Sequence, residues 1–269
     1  MVISPLVQNS LIMVSPNKSK RKTALNNIDG VAIHCMACNG NLKAIGNGFA
    51  KKSADGASSN YGIDSKGNYA CYVPEEYRSW CTSNKSWDDR SITIEVANDG
   101  NASTGWHVSD AALEALVKLL VDICQRYPKL NAGLRWKGDK NLVGKMDQQN
   151  MAVHRWFKNK ACPGDYLYNL HGSIANEVNR RLGVPGGYIP PTPVVVKEVA
   201  KPTVKNGSKG PNAKLLQNNL NRFGCGLVED GIFGKASTAA LKAWQRAVGL
   251  SADGIYGPKS AKKMGEVLP

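Results

Sequence analysis

GVAIHCMAC, residues 30–38, is the stretch from which the rest of the chain can be read. GVAIH has the apolar run of a short strand, and His34 stands at its end, where a sheet presents side chains to a cleft. Cys35 and Cys38 follow in C-x-x-C spacing. A four-cysteine zinc site would need a second close pair, which the sequence lacks. A thioredoxin-like redox pair would open a helix, whereas this one follows a strand. The histidine is therefore the better candidate for chemistry.

Working outward, RSITIEVAN at 90–98 reads as another strand, with Ile92, Ile94 and Val96 on one face and Thr93 and Glu95 on the other. VSDAALEALVKLLVDICQRYP reads as a helix capped by Ser109, with Asp110 at its positive end and Pro128 beyond it. Leu113, Leu116, Val117, Leu120, Ile123 and Cys124 form its apolar stripe, so Cys124 reads as core. Another helix follows Asp165 and runs to Gly183, a residue suited to a left-handed close. His171 lies within it among polar residues and is expected to be exposed. Strands mixed with long amphipathic helices predict an α/β domain.

The clearest break is GGYIPPTPVVVKEVAKPTVKNGSKG, 186–210, with four prolines and little periodicity. We expect a first domain over 1–185, a proline-containing linker over 186–207 and a second domain over 208–269. The second holds an internal repeat, EDGIFGKAST at 229–238 and ADGIYGPKSA at 252–261, offset by 23 residues. With the helical segments AKLLQNNLNRF and STAALKAWQRAVG it predicts a small all-α three-helix unit whose loops pack against one another. LLQNNLNRFG, the paired loops and WQRAVGL resemble the type 1 peptidoglycan-binding domain, which implies cell-wall binding. Residues 201–269 carry 11 Lys and Arg against four Asp and Glu, a net +7 of the chain's +14. The basic excess is densest where wall binding is expected.

At 269 residues and 42% hydrophobic content, the chain can bury one full-sized core and a small one. The excess of 35 Lys and Arg over 21 Asp and Glu points to an anionic polymer without choosing between nucleic acid and cell wall. Seven cysteines without regular spacing read as free thiols made in a reducing compartment. MVISPLVQNSLIMVSPNKSKRK has its positive charges after its apolar part and reads as no secretory signal. No apolar run approaches a bilayer-spanning length, so no membrane partner is expected.

The partners of His34 come 120 residues later, in HRWFKNKACPGDYL at 154–167. His154 and Cys162 flank Lys160 there. Two neutral imidazoles and a thiolate make a three-ligand zinc site with a position left for water, as in catalytic zinc. An isolated histidine is most simply a hydrogen-bonded core or surface residue, so the whole constellation carries the case.

AIHCMA, ASSNYGIDSKG, YRSWCTSN, SITIEVANDG, WHVSDAALEAL and HRWFKNKACPGDYL, in this order over residues 28–183, resemble the zinc-dependent type 2 N-acetylmuramoyl-L-alanine amidases, relatives of peptidoglycan recognition proteins. The resemblance implies a mixed sheet flanked by helices, with Zn2+ held by His34, His154 and Cys162. Where many relatives have a second histidine, this chain has Cys35, which is not an expected ligand. The resemblance further implies Glu95 as general base, Lys160 facing the developing oxyanion, and Tyr61 near the zinc. Each has a plainer reading: Glu95 a solvated strand residue, Lys160 a surface lysine, Tyr61 sheet packing. His107 is left without a role.

The expected protein is a modular wall hydrolase that splits the bond between N-acetylmuramic acid and L-alanine. It would act as a monomeric phage endolysin, made in the host cytoplasm and reaching the wall at lysis. A bacterial autolysin and a non-catalytic peptidoglycan-binding protein are the alternatives. Binding to nucleic acid rests on charge alone and has no motif behind it.

Overall fold

The computed structural model describes residues 1–51, 56–184, 203–223 and 225–267. The chain divides into two compact units, Met1–Tyr188 and Ile189–Pro269. Most of the stretch read as linker, 186–202, lies outside the described residues.

The first unit contains β1 (Lys18–Lys20), β2 (Gly30–Cys35), α1 (Leu42–Phe49), β3 (Tyr61–Ile63), β4 (Tyr69–Cys71), β5 (Tyr77–Ser79), α2 (Lys85–Arg90), β6 (Ser91–Val96), α3 (Asp110–Arg126), β7 (Met151–Ala152) and α4 (Asp165–Leu182). Its main sheet runs β4-β3-β6-β2-β7, parallel throughout except for the β3-β4 hairpin; β1 and β5 pair separately. It is the expected mixed sheet flanked by helices. The register aligns His34 with Glu95 and Glu95 with Gly62. Side chains alternate along a strand, so these three positions share one face.

On that face, Gly62 makes room for Tyr72: a Cβ there would lie 2.6 Å from the Tyr72 ring. Tyr72 in turn donates to the Leu42 carbonyl at 3.0 Å and ties down the start of α1. The opposite face carries Tyr61 and Ile94, which are register partners.

α3 starts where its sequence says it should, with Ser109 accepting from the Ala112 amide. Leu116, Leu119, Leu120, Ile123 and Cys124 on it are fully buried. Truncating one such leucine to alanine costs about 2–5 kcal/mol, which makes this stripe a main source of cohesion. α4 packs against α3 and closes on Gly183 at φ 67°, a left-handed value that glycine adopts without strain. His171 corrects an expectation: it is fully buried, its Nδ1 2.7 Å from the Leu167 carbonyl and its ring 4.5 Å from Trp136.

The second unit has three described helices, α5 (Pro211–Arg222), α6 (Lys235–Ala247) and α7 (Pro258–Val267), around Leu216, Leu220, Phe233, Leu241, Trp244 and Met264. Its repeat is a repeat of hydrogen bonds. Gln217 donates to Asp230, the Ile232 carbonyl and Ser237, and accepts from the Gly231 amide. Gln245 makes the same set with Asp253, Ile255, Ser260 and Gly254. Each loop is thus pinned by a glutamine of the preceding helix, a contact the expected loop-to-loop packing did not include. Val204, within the stretch read as linker, is buried and exchanges backbone hydrogen bonds with Tyr256.

Candidate metal and catalytic site

β2 and β6 are parallel, so their carboxyl ends lie on one rim, the usual place for a site in an α/β sheet. His34 and Glu95 each stand one residue before the end of their strand. His34 is 1% exposed, and its Nδ1 lies 4.0 Å from Glu95 Oε1. β7 delivers the chain beside β2, and His154 opens the short 3-10 turn that follows. The two imidazoles are 5.1 Å apart between centroids.

Cys162 completes the group, with Sγ 3.4 Å from His34 Nδ1. The turn that carries it is braced by Arg155. Its amide donates to the Cys162 carbonyl at 3.1 Å, and its guanidinium reaches the Ala161 carbonyl and Asp165. Gly164, at φ 84°, then lets the chain turn into α4 with the Trp106 side chain packed against it.

Ligand atoms of His34, His154 and Cys162 all lie within 4.8 Å of one another. A tetrahedral zinc with ordinary Zn–N and Zn–S bonds needs its donors roughly 3.3–3.6 Å apart, so the cluster is of the right size and softness. Burial pushes the pKa of His34 down to about 3, with His154 and His171 adding to the effect. Burial also lowers that of His154, assisted by Lys160 and Lys158. Both rings are held neutral, the state in which imidazole binds a metal. Glu95 is pushed well above the carboxylate range, mainly by burial and then by Cys35, and its Oε2 has no protein partner.

The structure thus brings His34, His154, Cys162 and Glu95 together, with Lys160 exposed nearby. It does not bring Tyr61 to them. Tyr61 points to the other face of the sheet, where its hydroxyl donates to Glu75 and accepts from the Ser4 amide. The expectation of a tyrosine near the metal fails because β3 places Gly62, not Tyr61, beside Glu95. His107 is exposed and packs its ring 4.4 Å from Tyr166.

Three residues at the site escaped the sequence reading. Cys81 Sγ lies 4.0 Å from Glu95 Oε1, and with His34 they form a further group of metal-capable atoms. Asp88 holds that turn by accepting from the Cys81 and Thr82 amides. Ser83, at φ 65°, places its hydroxyl 3.1 Å from His154 Nε2. YRSWCTSN marked the region, but nothing in it signals a non-glycine residue in left-handed backbone.

Comparison with known proteins agrees with this architecture. A curated relative, N-acetylmuramoyl-L-alanine amidase CwlL of Bacillus licheniformis, is 23% identical over 205 residues, 73% of this chain and 49% of that protein. The chain thus spans about half the length of that relative. Among solved structures, the Ph2119 endolysin from a Thermus scotoductus bacteriophage aligns over 57% of this chain and 91% of its own, at 15% identity and TM-score 0.37. The catalytic domain of XlyA aligns over 62% and 97%, at 16% identity and TM-score 0.39. Residues 24–165 match the N-acetylmuramoyl-L-alanine amidase family and residues 209–264 the peptidoglycan binding domain. The chain belongs to the N-acetylmuramoyl-L-alanine amidase family and carries a peptidoglycan-binding domain after it.

Proposed function

We propose that this chain is a zinc-dependent hydrolase of the amide between the lactyl group of N-acetylmuramic acid and L-alanine, acting as a monomeric phage endolysin on the host wall. The observation that carries the reading is the grouping of His34, His154 and Cys162 beside Glu95 at one sheet rim. Bound there, Zn2+ supplies Lewis acidity toward the amide carbonyl and the attacking water. His34, His154 and Cys162 would hold it.

Glu95 accepts the proton of the attacking water. Its raised affinity for a proton suits it to carry that proton and pass it to the departing amine of alanine. Ser83 fixes the His154 ring through its contact at Nε2. Lys160 brings positive charge to the side of the site where the carbonyl oxygen gains negative charge. The unit that contains residues 209–264 raises the local concentration of enzyme at the wall. Its basic residues favour an anionic polymer.

The full chain is to be incubated with purified walls, and new N-terminal alanine compared with new reducing sugar ends. Alanine ends without reducing ends are expected. Reducing ends alone would overturn the amidase reading, and no release at all would favour a binding protein.

A further inference from the structure

Cys35 has no part in the reaction above, yet it lies against a residue that does. Its backbone N–H donates to Cys162 Sγ at 3.4 Å, across 127 residues of sequence. Cys35 and Cys162 are both partly exposed, whereas Cys71, Cys81 and Cys124 are buried. A backbone nitrogen 3.4 Å from the partner sulfur brings the two cysteines within reach of a disulfide. Access and a neighbouring thiol together mark the cysteines that oxidants can join.

We propose that Cys35 and Cys162 are a redox-active dithiol that closes to a disulfide under peroxide and thereby removes the third metal-holding side chain. The loss of metal rests on the ligand assignment made above; the disulfide does not. The Cys35 thiolate attacks one oxygen of hydrogen peroxide, giving a sulfenic acid and hydroxide. The Cys162 sulfur then displaces the hydroxyl group from the Cys35 sulfur and forms the S–S bond. With the two thiol protons, the displaced oxygens leave as two waters. One peroxide is reduced and two thiols are oxidised. A dithiol reductant reverses the change by exchange.

The position of Cys35 makes this specific. The backbone hydrogen bond from Cys35 holds the Cys162 sulfur against the Cys35 main chain. Zinc and oxidant therefore compete for one sulfur: the metal-free chain is the more sensitive, and added zinc protects it.

The test treats the full chain, metal-free and zinc-loaded, with hydrogen peroxide. It then maps non-reduced peptides by mass spectrometry and follows zinc release with a chromogenic chelator. A peptide linked through 35 and 162 is expected, more of it in the metal-free sample, together with loss of zinc and wall lysis that dithiothreitol restores. Cys35→Ser should form no such link and keep zinc and lysis at the same peroxide dose, while Cys38→Ser should behave as the unchanged chain. Absence of the 35–162 link, or a Cys35→Ser chain as sensitive as the parent, overturns the proposal. If the link forms in a chain that binds no zinc before treatment, the dithiol stands and the ligand assignment falls.

Discussion

Glu75 and Glu95 are two acids enclosed by the same unit, and they answer burial in opposite ways. Glu75 is fully buried on the Tyr61 side of the sheet, and its carboxylate is saturated. Arg126 grips it with both terminal nitrogens, and the hydroxyls of Tyr61 and Tyr127 donate to it. Glu95, on the His34 side, has a neighbouring imidazole, a weakly placed thiol and one oxygen with no protein partner. A buried charge that is fully hydrogen-bonded holds a fold together, whereas one left short of partners is available to something that arrives later. The face of this sheet proposed for catalysis is the one on which His34 Nε2 and Glu95 Oε2 lack a protein partner.

That contrast can be broken by mutation. The largest effect is expected at Cys162→Ser, because an alcohol is a far poorer zinc ligand than a thiolate: metal retention and wall lysis should both be lost. Stoichiometric zinc by elemental analysis in that variant would show that the site lies elsewhere. Next comes Glu95→Gln, which should keep zinc and slow turnover on soluble muramoyl peptide by roughly 10²–10⁴-fold. Equal turnover in variant and parent would reduce Glu95 to a bystander.

Glu75→Gln should do the reverse and leave turnover intact in the cold while destabilising the fold by about 3 kcal/mol in urea titration. This is the low end for a broken buried pair, because Arg126 keeps Asp122. Glu95→Gln should instead stabilise the metal-free chain at neutral pH, because the unfolded chain no longer gains by releasing a proton there. The sign follows from proton binding. Folded Glu95 holds its proton well above the ordinary value of 4.5, where the unfolded chain has already released it. Stability of the metal-free parent therefore falls as pH rises from 4.5 through the folded pKa, and the variant should lack that fall. The smallest effect is expected at Tyr61→Phe: about 1 kcal/mol of stability, with turnover unchanged. A large drop in turnover without loss of stability would put Tyr61 back in the reaction.

Much of this was legible in the residues. Ser109, Gly183 and the leucine stripe set two helices because capping and periodicity are local. His34, His154 and Cys162 could be grouped because each sits in a stretch of recognisable chemistry. What stayed hidden depends on pairing between distant segments. Whether Tyr61 or Gly62 stands beside Glu95 is decided by strand register, and a shift of one residue exchanges the faces. PEEYRS gives no sign that Glu75 will meet Arg126, 51 positions on. Cys81 joins Glu95 only because α2 folds the chain back between them.

The paired hydrogen bonds between Val204 and Tyr256 set a mechanical boundary on the second unit. Any tension carried along the chain from its N-terminal side meets that pair, and the buried Val204 side chain, before it reaches α5. The anchor is backbone pairing at the last repeat loop, so force enters through a loop that lies after α6 in sequence. A fragment cut at 208 discards this clasp, and one begun ahead of Val204 keeps it. In mechanical terms, the second unit begins to bear load at Val204, ahead of α5.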